Sequence, residues 1–295
     1  MMKRFIPVLL CLVFFPLSAQ AKTNVFACEP EWGALAQEIG GDDVDVTIAT
    51  KAGQDPHHVS AKPSLLSAMR KADLVFCNGA SLEIGWLPVL QQKAASSDTV
   101  FLYAADFVKK LDVPTKVDRS MGDVHPDGNP HIVTDPRNIL TVAGALTEKL
   151  SDVDPANAQA YQSRSAAFSQ NWQALINSWE KQAAGLKGQN VVVYHTLWRY
   201  MLNWLGMNDV ASLEPKPGVP PTASHLENVL AAVEGKKVKA ILVAPYENED
   251  AAEWLSGKTG IPVLHLPFTV GGTAKADNLE HLFEETIRLL NGASS

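Results

Sequence analysis

Residues 154–186 read DPANAQAYQSRSAAFSQNWQALINSWEKQAAGL. Asp154 followed by Pro155 is a cap-then-proline start for a helix. From Ala156 to Leu186 there is no proline, and Gly185 falls only near the end. Phe168, Trp172, Leu175, Ile176 and Trp179 recur at three- and four-residue steps, which makes one apolar stripe for core packing. At ~1.5 Å per residue the segment predicts a helix of roughly 46 Å. A helix of that length spans the full height of a two-lobed protein and limits hinge motion.

Short apolar runs and helical stretches alternate on both sides of it. Before it, Asn24–Ala27, Val44–Ala49, Asp73–Cys77 and Thr99–Tyr103 read as strands, and Trp32–Ile39 and Ser64–Lys71 carry helical spacing. After it, Val191–Tyr194, Ala240–Val243 and Val263–Leu266 read as strands. Tyr200–Leu205, Ser224–Val233 and Asp250–Ser256 read as the helices between them. Such alternation implies parallel sheets covered by helices, whose strand ends line one edge where ligands bind. The expected fold is α/β: two lobes, each a parallel-sheet sandwich, joined by one long rigid helix. The boundaries are 22–153 for the N-terminal lobe, 154–187 for the linking helix and 188–295 for the C-terminal lobe.

Residues 1–21 read as a secretory signal. Lys3 and Arg4 precede an apolar run from Phe5 to Leu17, and Ala19-Gln20-Ala21 offers a cleavage site. The run is shorter than a membrane span needs and contains Pro7 and Pro16. Cleavage after Ala21 removes Cys11 and leaves Cys28 and Cys77. An even pair in an oxidising compartment suggests a disulfide, with two separate buried thiols as the other reading. If Asn24–Ala27 and Asp73–Cys77 are neighbouring parallel strands, their ends lie ~5 Å apart, within reach of a bridge.

A hydrophobic fraction of 46% with 19% charged residues excludes a disordered chain. Twenty-five Lys and Arg against 32 Asp and Glu give −7, or −9 without Lys3 and Arg4. An acidic protein with no basic block is a poor partner for nucleic acid or an anionic membrane. The processed chain is expected to be soluble and periplasmic.

Three histidines share a setting. His57 lies in Gln54-Asp55-Pro56-His57-His58, His131 in Asn129-Pro130-His131 before Asp135-Pro136, and His195 directly after Val191–Tyr194. Each falls in a loop at or after a strand end, and the prolines fix how the loops run. Neutral imidazole is the commonest nitrogen ligand of zinc, and three imidazoles with one oxygen complete a tetrahedral site. Sequence separation alone does not prove that the three meet. His225 and His281, beside acids in helical patterns, read as surface residues, and His265 as structural.

These segments resemble the metal-specific solute-binding proteins of zinc and manganese ABC importers, in particular the zinc-binding type. The resemblance covers about residues 23–291. Asp55-Pro56-His57 with Pro63-Ser64, Ala72-Asp73-Leu74-Val75 before Asn78-Gly79, and Asn129-Pro130-His131 before Asp135-Pro136 carry it. So do Tyr194-His195 before an aromatic helix ending in Leu205-Gly206, the run Glu214–Pro221, and Gly260–Leu266. It implies metal in the cleft between the lobes, held by His57, His131 and His195. It also implies a fourth, carboxylate ligand near the start of the last helix, where Asp277 stands; a helix cap is the other reading of that residue. Many zinc-binding relatives carry a long His-rich loop before the second ligand. Here only residues 121–128 occupy that place, and Asp123, His125 and Asp127, with His58, are left as secondary metal contacts.

The resemblance implies a monomer that captures Zn²⁺ as cargo and hands it to an ABC transporter permease. Manganese relatives typically replace the third imidazole with a carboxylate, whereas His195 keeps this set rich in nitrogen and favours zinc. A same-fold binder of manganese or an organic chelate is the alternative. A zinc hydrolase would need a general base beside the metal, and no HExxH motif is present.

Overall fold

The computed structural model describes residues 21–118, 121–123 and 125–293. The signal sequence read over 1–21 lies, apart from Ala21, outside the described residues. The chain forms two four-stranded sheets in which every pairing is parallel. The first holds β1 (Thr23–Ala27), β2 (Val44–Ile48), β3 (Leu74–Cys77) and β4 (Val100–Tyr103), in the order β2-β1-β3-β4. The second holds β5 (Asn190–Val193), β6 (Asn208–Ser212), β7 (Val238–Val243) and β8 (Val263–His265), in the order β6-β5-β7-β8. Both sheets therefore wind the same way, although the two halves share no close sequence repeat.

The helices of the first lobe are α1 (Pro30–Gly40), α2 (Pro63–Lys71), α3 (Leu87–Ala94) and α4 (Pro136–Val153). Then come α5 (Ala158–Gln182), α6 (Arg199–Leu205), α7 (Ala223–Val233), α8 (Asp250–Thr259) and α9 (Leu279–Gly292). Central strands covered by helices on both faces are apolar throughout, and β3 is buried at all four positions of LVFC. Trp32 of α1 packs against Phe76 of β3 with ring centroids 5.3 Å apart. Among the described residues no helix is long and apolar enough to cross a membrane.

The long helix is α5, but it is shorter than the sequence predicts. Its α-helical part has 25 residues, about 37 Å at 1.5 Å per residue. The first residues after Asp154 form a 3-10 turn, Pro155–Asn157, and another turn, Ala184–Leu186, follows its end. Asp154 accepts hydrogen bonds from the Tyr161 hydroxyl at 2.7 Å and from Asn157 Nδ2 at 2.8 Å. Its carboxylate thus ties the turn to the first turn of the helix. The expected stripe is present: Phe168, Trp172, Ile176 and Trp179 are buried. Trp172 and Trp179 meet Phe283 of α9 at 5.7 and 5.3 Å between centroids. The last helix therefore rests on α5.

Cys28 and Cys77 form a disulfide with Cα atoms 4.7 Å apart. The parallel register explains it. Phe26 pairs with Val75 and Ala27 with Phe76, so the next residues on each strand stand side by side.

Candidate metal centre

The site is built at the C-terminal ends of the parallel strands, where open α/β sheets place ligands. The loop after β2 carries His57. Trp86 Nε1 donates to Pro56 O at 2.9 Å, and Asp55 Oδ1 accepts from the His57 backbone N–H at 2.9 Å. His131 follows β4 and a long connection. Asn78 Nδ2 holds Pro130 O at 2.7 Å, and Asn129 Oδ1 accepts from the His131 N–H at 3.0 Å. The second lobe fixes the same loop, because Asn129 Nδ2 donates to Thr196 O at 2.8 Å and the Tyr200 hydroxyl to Asn129 O at 2.7 Å. His195 stands two residues beyond β5.

The three histidines converge. Their ligand atoms all lie within 4.8 Å of one another. His131 Nε2 and His195 Nε2 are 3.1 Å apart. Zinc–nitrogen bonds of ~2.0–2.1 Å in tetrahedral geometry put neighbouring nitrogens about 3.3–3.4 Å apart, so the spacing suits one ion. Two carboxylates set the ring orientation. His57 Nδ1 meets Asp55 Oδ1 at 2.8 Å, and His195 Nδ1 meets Glu214 Oε2 at 2.7 Å. A carboxylate at Nδ1 fixes the proton there and turns the Nε2 lone pair inward, the arrangement that raises ligand basicity.

The surroundings favour neutral imidazole. Burial, helped by the charges of His195, His57 and His125, pushes the His131 pKa well below its ordinary value. Burial pulls the Asp55 carboxyl upward, but hydrogen bonds from His57 and His58 overcome it and hold the group well below the usual carboxylate range. Glu247 lies beside these groups in the second lobe. Burial pushes its carboxyl up to about 8; the Ala244 N–H opposes this, and the charges of Glu214 and Asp55 add to it.

The remaining sequence candidates divide. His125 belongs to the cluster's edge, with its Nε2 3.2 Å from His57 Nε2. Burial, then the charges of His57 and His195, lowers its pKa to about 4. His58 is exposed and bonds to Asp55 Oδ2 at 2.9 Å. Asp123 donates its backbone N–H to Pro217 O at 2.8 Å, and Asp127 Oδ2 accepts from Ser81 Oγ at 3.3 Å.

Asp277 stands apart from the convergent histidines. Its carboxylate bonds to the His281 ring at 2.6 Å, and it lines a separate cavity with Gln37 of α1 and Trp172 of α5. It is not the helix cap either, since the side chain of Asn278 accepts from the His281 N–H. The segment before α9 carries the acid to the α1–α5 side, away from the strand ends. His265, expected to be structural, instead stands half-exposed near Glu249.

Sequence reading missed a group of buried acids beneath the site. Glu29, Glu31 and Glu83 are all buried. Glu83 accepts from the backbone N–H of Asn78 at 2.6 Å and of Gly79 at 3.1 Å, which steadies the turn whose Asn78 holds the His131 loop. Gly79 has φ +79°, and a Cβ there would stand 2.9 Å from that of Tyr103. Glu31 accepts from the Thr269 hydroxyl. Burial raises all three pKa values, most of all that of Glu29, whose carboxylate also faces Glu83 and Glu31. Nothing in a lone Glu of the sequence marks it as buried, because Glu is usually exposed.

These shifts predict how the metal-free protein responds to pH. His131 and His125 have folded pKa values below 6.5, so their contribution is present above that value and is lost as pH falls through it. The buried acids have folded values above 4.5, so theirs is full below that value and is lost as pH rises, to about 8 for Glu247. Thermal stability of metal-free protein should therefore fall as pH rises from about 6.5 to 8, where the histidine contribution is already full and the acids' contribution is still being lost. Stability that keeps rising from pH 6 to 8 would contradict the burial of these acids.

Imidazoles gathered at the facing strand ends of two parallel α/β lobes are the mark of a substrate-binding protein for a metal ion. The chain belongs to the family described as zinc-uptake complex component A, periplasmic, which it matches over residues 25–293. It is therefore a metal-binding substrate-binding protein of an ABC importer and not an enzyme. It is 23% identical to the metal ABC transporter substrate-binding lipoprotein ScbA of Streptococcus cristatus, over 89% of this chain and 88% of that one. It is 22% identical to the manganese-binding lipoprotein MntA of Halalkalibacterium halodurans, over 78% and 74%. It is 20% identical to the zinc-binding lipoprotein AdcA of Streptococcus pneumoniae, over 82% of this chain and 49% of that one. Among solved structures, a ZnuA crystal structure superposes with a TM-score of 0.79 at 20% identity, covering 92% of this chain and all of that one.

Proposed function

We propose that the chain captures Zn²⁺ in the periplasm, after removal of residues 1–21, and delivers it to its membrane permease as a monomer. The observation that carries this reading is the convergence of His57, His131 and His195, whose ligand atoms lie within 4.8 Å of one another. Nitrogen-rich sets suit zinc, whereas manganese prefers carboxylate and water oxygens. The relatives named above include both a manganese-binding and a zinc-binding protein, so the preference rests on this chain's own donors. The test is equilibrium dialysis of metal-stripped protein against equal zinc and manganese, followed by elemental analysis. One zinc per chain with manganese near background is expected. Equal loading would overturn the zinc reading and leave a general metal binder.

Asp55 and Glu214 are assigned the task of orienting the ligand rings. Removing an outer carboxylate partner typically costs ~10–100-fold in metal affinity. Asp55→Ala should show that loss in a competitive zinc titration with the fold intact by circular dichroism. An unchanged affinity would mean that loop packing alone orients His57.

A further inference from the structure

We propose that His125 is the fourth metal ligand, so that four imidazoles close the site. This rests on the zinc-capture reading above and names the donor that completes it.

Four observations lead there. His131 and His195 present Nε2 atoms 3.1 Å apart, and His57 and His125 present theirs 3.2 Å apart. Both spacings are close to the edge of a zinc tetrahedron, about 3.3–3.4 Å for Zn–N of ~2.0–2.1 Å. The two pairs share no residue, as two opposite edges of one tetrahedron share no corner. Second, His125 borders both cavities that meet at the site. It lines one of about 640 Å³ with His57 and His58, and one of about 240 Å³ with His131 and His195.

Third, the carboxylate that the sequence offers for the position, Asp277, is engaged elsewhere. Asp277 is bound to His281. Glu247 Oε2 accepts from the Ala244 N–H at 2.6 Å while its buried Oε1 has no partner, which makes it the rival that the Glu247→Gln arm of the test below decides. Fourth, the chain around His125 is tied to both lobes. Ser81 Oγ donates to Asp127, and the Asp123 N–H donates to Pro217 O. Glu214 Oε2, the partner of His195, also accepts from the Gly218 N–H at 3.0 Å, so the second anchor and the His195 ring share one carboxylate.

His125 stands outside the set whose atoms lie within 4.8 Å. Binding therefore draws its ring toward His131 and His195. Four neutral donors leave the ion's double charge uncompensated within the first layer. Asp55 and Glu214, each behind an imidazole, supply two negative charges directly outside it. A site with no carboxylate oxygen also discriminates against manganese more strongly than three imidazoles and a carboxylate would.

The test uses long-range ¹H–¹⁵N spectra of histidine-labelled protein loaded with zinc, which resolve each metal-bound ring nitrogen, together with competitive zinc titration. Wild type is expected to show four metal-bound Nε2 atoms. His125→Ala should show three and bind zinc about a hundredfold or more weakly, while Asp277→Ala and Glu247→Gln keep four and near-normal affinity. Three bound imidazoles in wild type, or unchanged affinity in His125→Ala, overturns the proposal. His195→Ala separates the two levels: if it too binds zinc normally, the zinc-capture site itself is wrong. If His195→Ala alone loses zinc, the site stands and only the fourth ligand is wrong.

Discussion

Replacing His195 with alanine should weaken zinc binding by far more than the ~10–100-fold typical of outer partners. His195 is the sole contribution of the second lobe to the convergent imidazoles, since His57 and His131 both come from the first. Its loss removes a direct ligand and also strands Glu214, whose carboxylate holds the ring at 2.7 Å. Among the described residues, the carboxylate then keeps only the Gly218 N–H at 3.0 Å. The remaining donors then lie on one side of the cleft, and the ion loses its bridge between the lobes. The fold should survive, because the core clusters do not depend on an imidazole that lies in a loop. Competitive titration beside circular dichroism checks both halves. Zinc affinity within tenfold of wild type would contradict the assignment.

The second large effect concerns stability and not binding. Replacing Cys28 and Cys77 together with alanine should cost ~2–5 kcal/mol, the usual range for a native disulfide. The bridge closes a loop with a sequence separation of 49, for which the chain-entropy account gives about 4 kcal/mol. Both residues are fully buried between β1, β3 and the helices that cover them. Metal affinity of the folded variant should change little. The strand register is set independently by ladder bonds, and the Cys28 N–H still reaches Phe76 O at 2.9 Å. Chemical denaturation measures the first expectation and zinc titration the second. A large affinity loss in a well-folded variant would show that the bridge positions the Asn78 turn.

The strands that sequence reading found are those with dense apolar runs, such as LVFC in β3. β6, NDVAS, escaped because it is an edge strand, half exposed and without an apolar run. The linking helix was legible from its aromatic stripe, but its start was misjudged. Asp154 and Pro155 open a 3-10 turn, Pro155–Asn157, and the α-helix proper begins only at Ala158. His57, His131 and His195 could be placed at strand ends from their local motifs, and parallel winding then brings such ends together. The position of Asp277 beside α1 and α5 was not legible, because an acid next to a helix start carries no information about which way the preceding segment runs. The approach of His125 to His57 was not legible, because it depends on anchors at Ser81 and Pro217 far off in sequence. The acids Glu29, Glu31 and Glu83 gave no signal at all, since burial of a carboxyl is a tertiary property.

An anomalous difference map from a zinc-loaded crystal, recorded on both sides of the zinc absorption edge, tests the central claim most directly. The expected result is one strong peak between the lobes, ~2.0–2.1 Å from the Nε2 atoms of His57, His131 and His195. A peak bound by other residues, or no peak in a crystal whose chains carry zinc by elemental analysis, would contradict it.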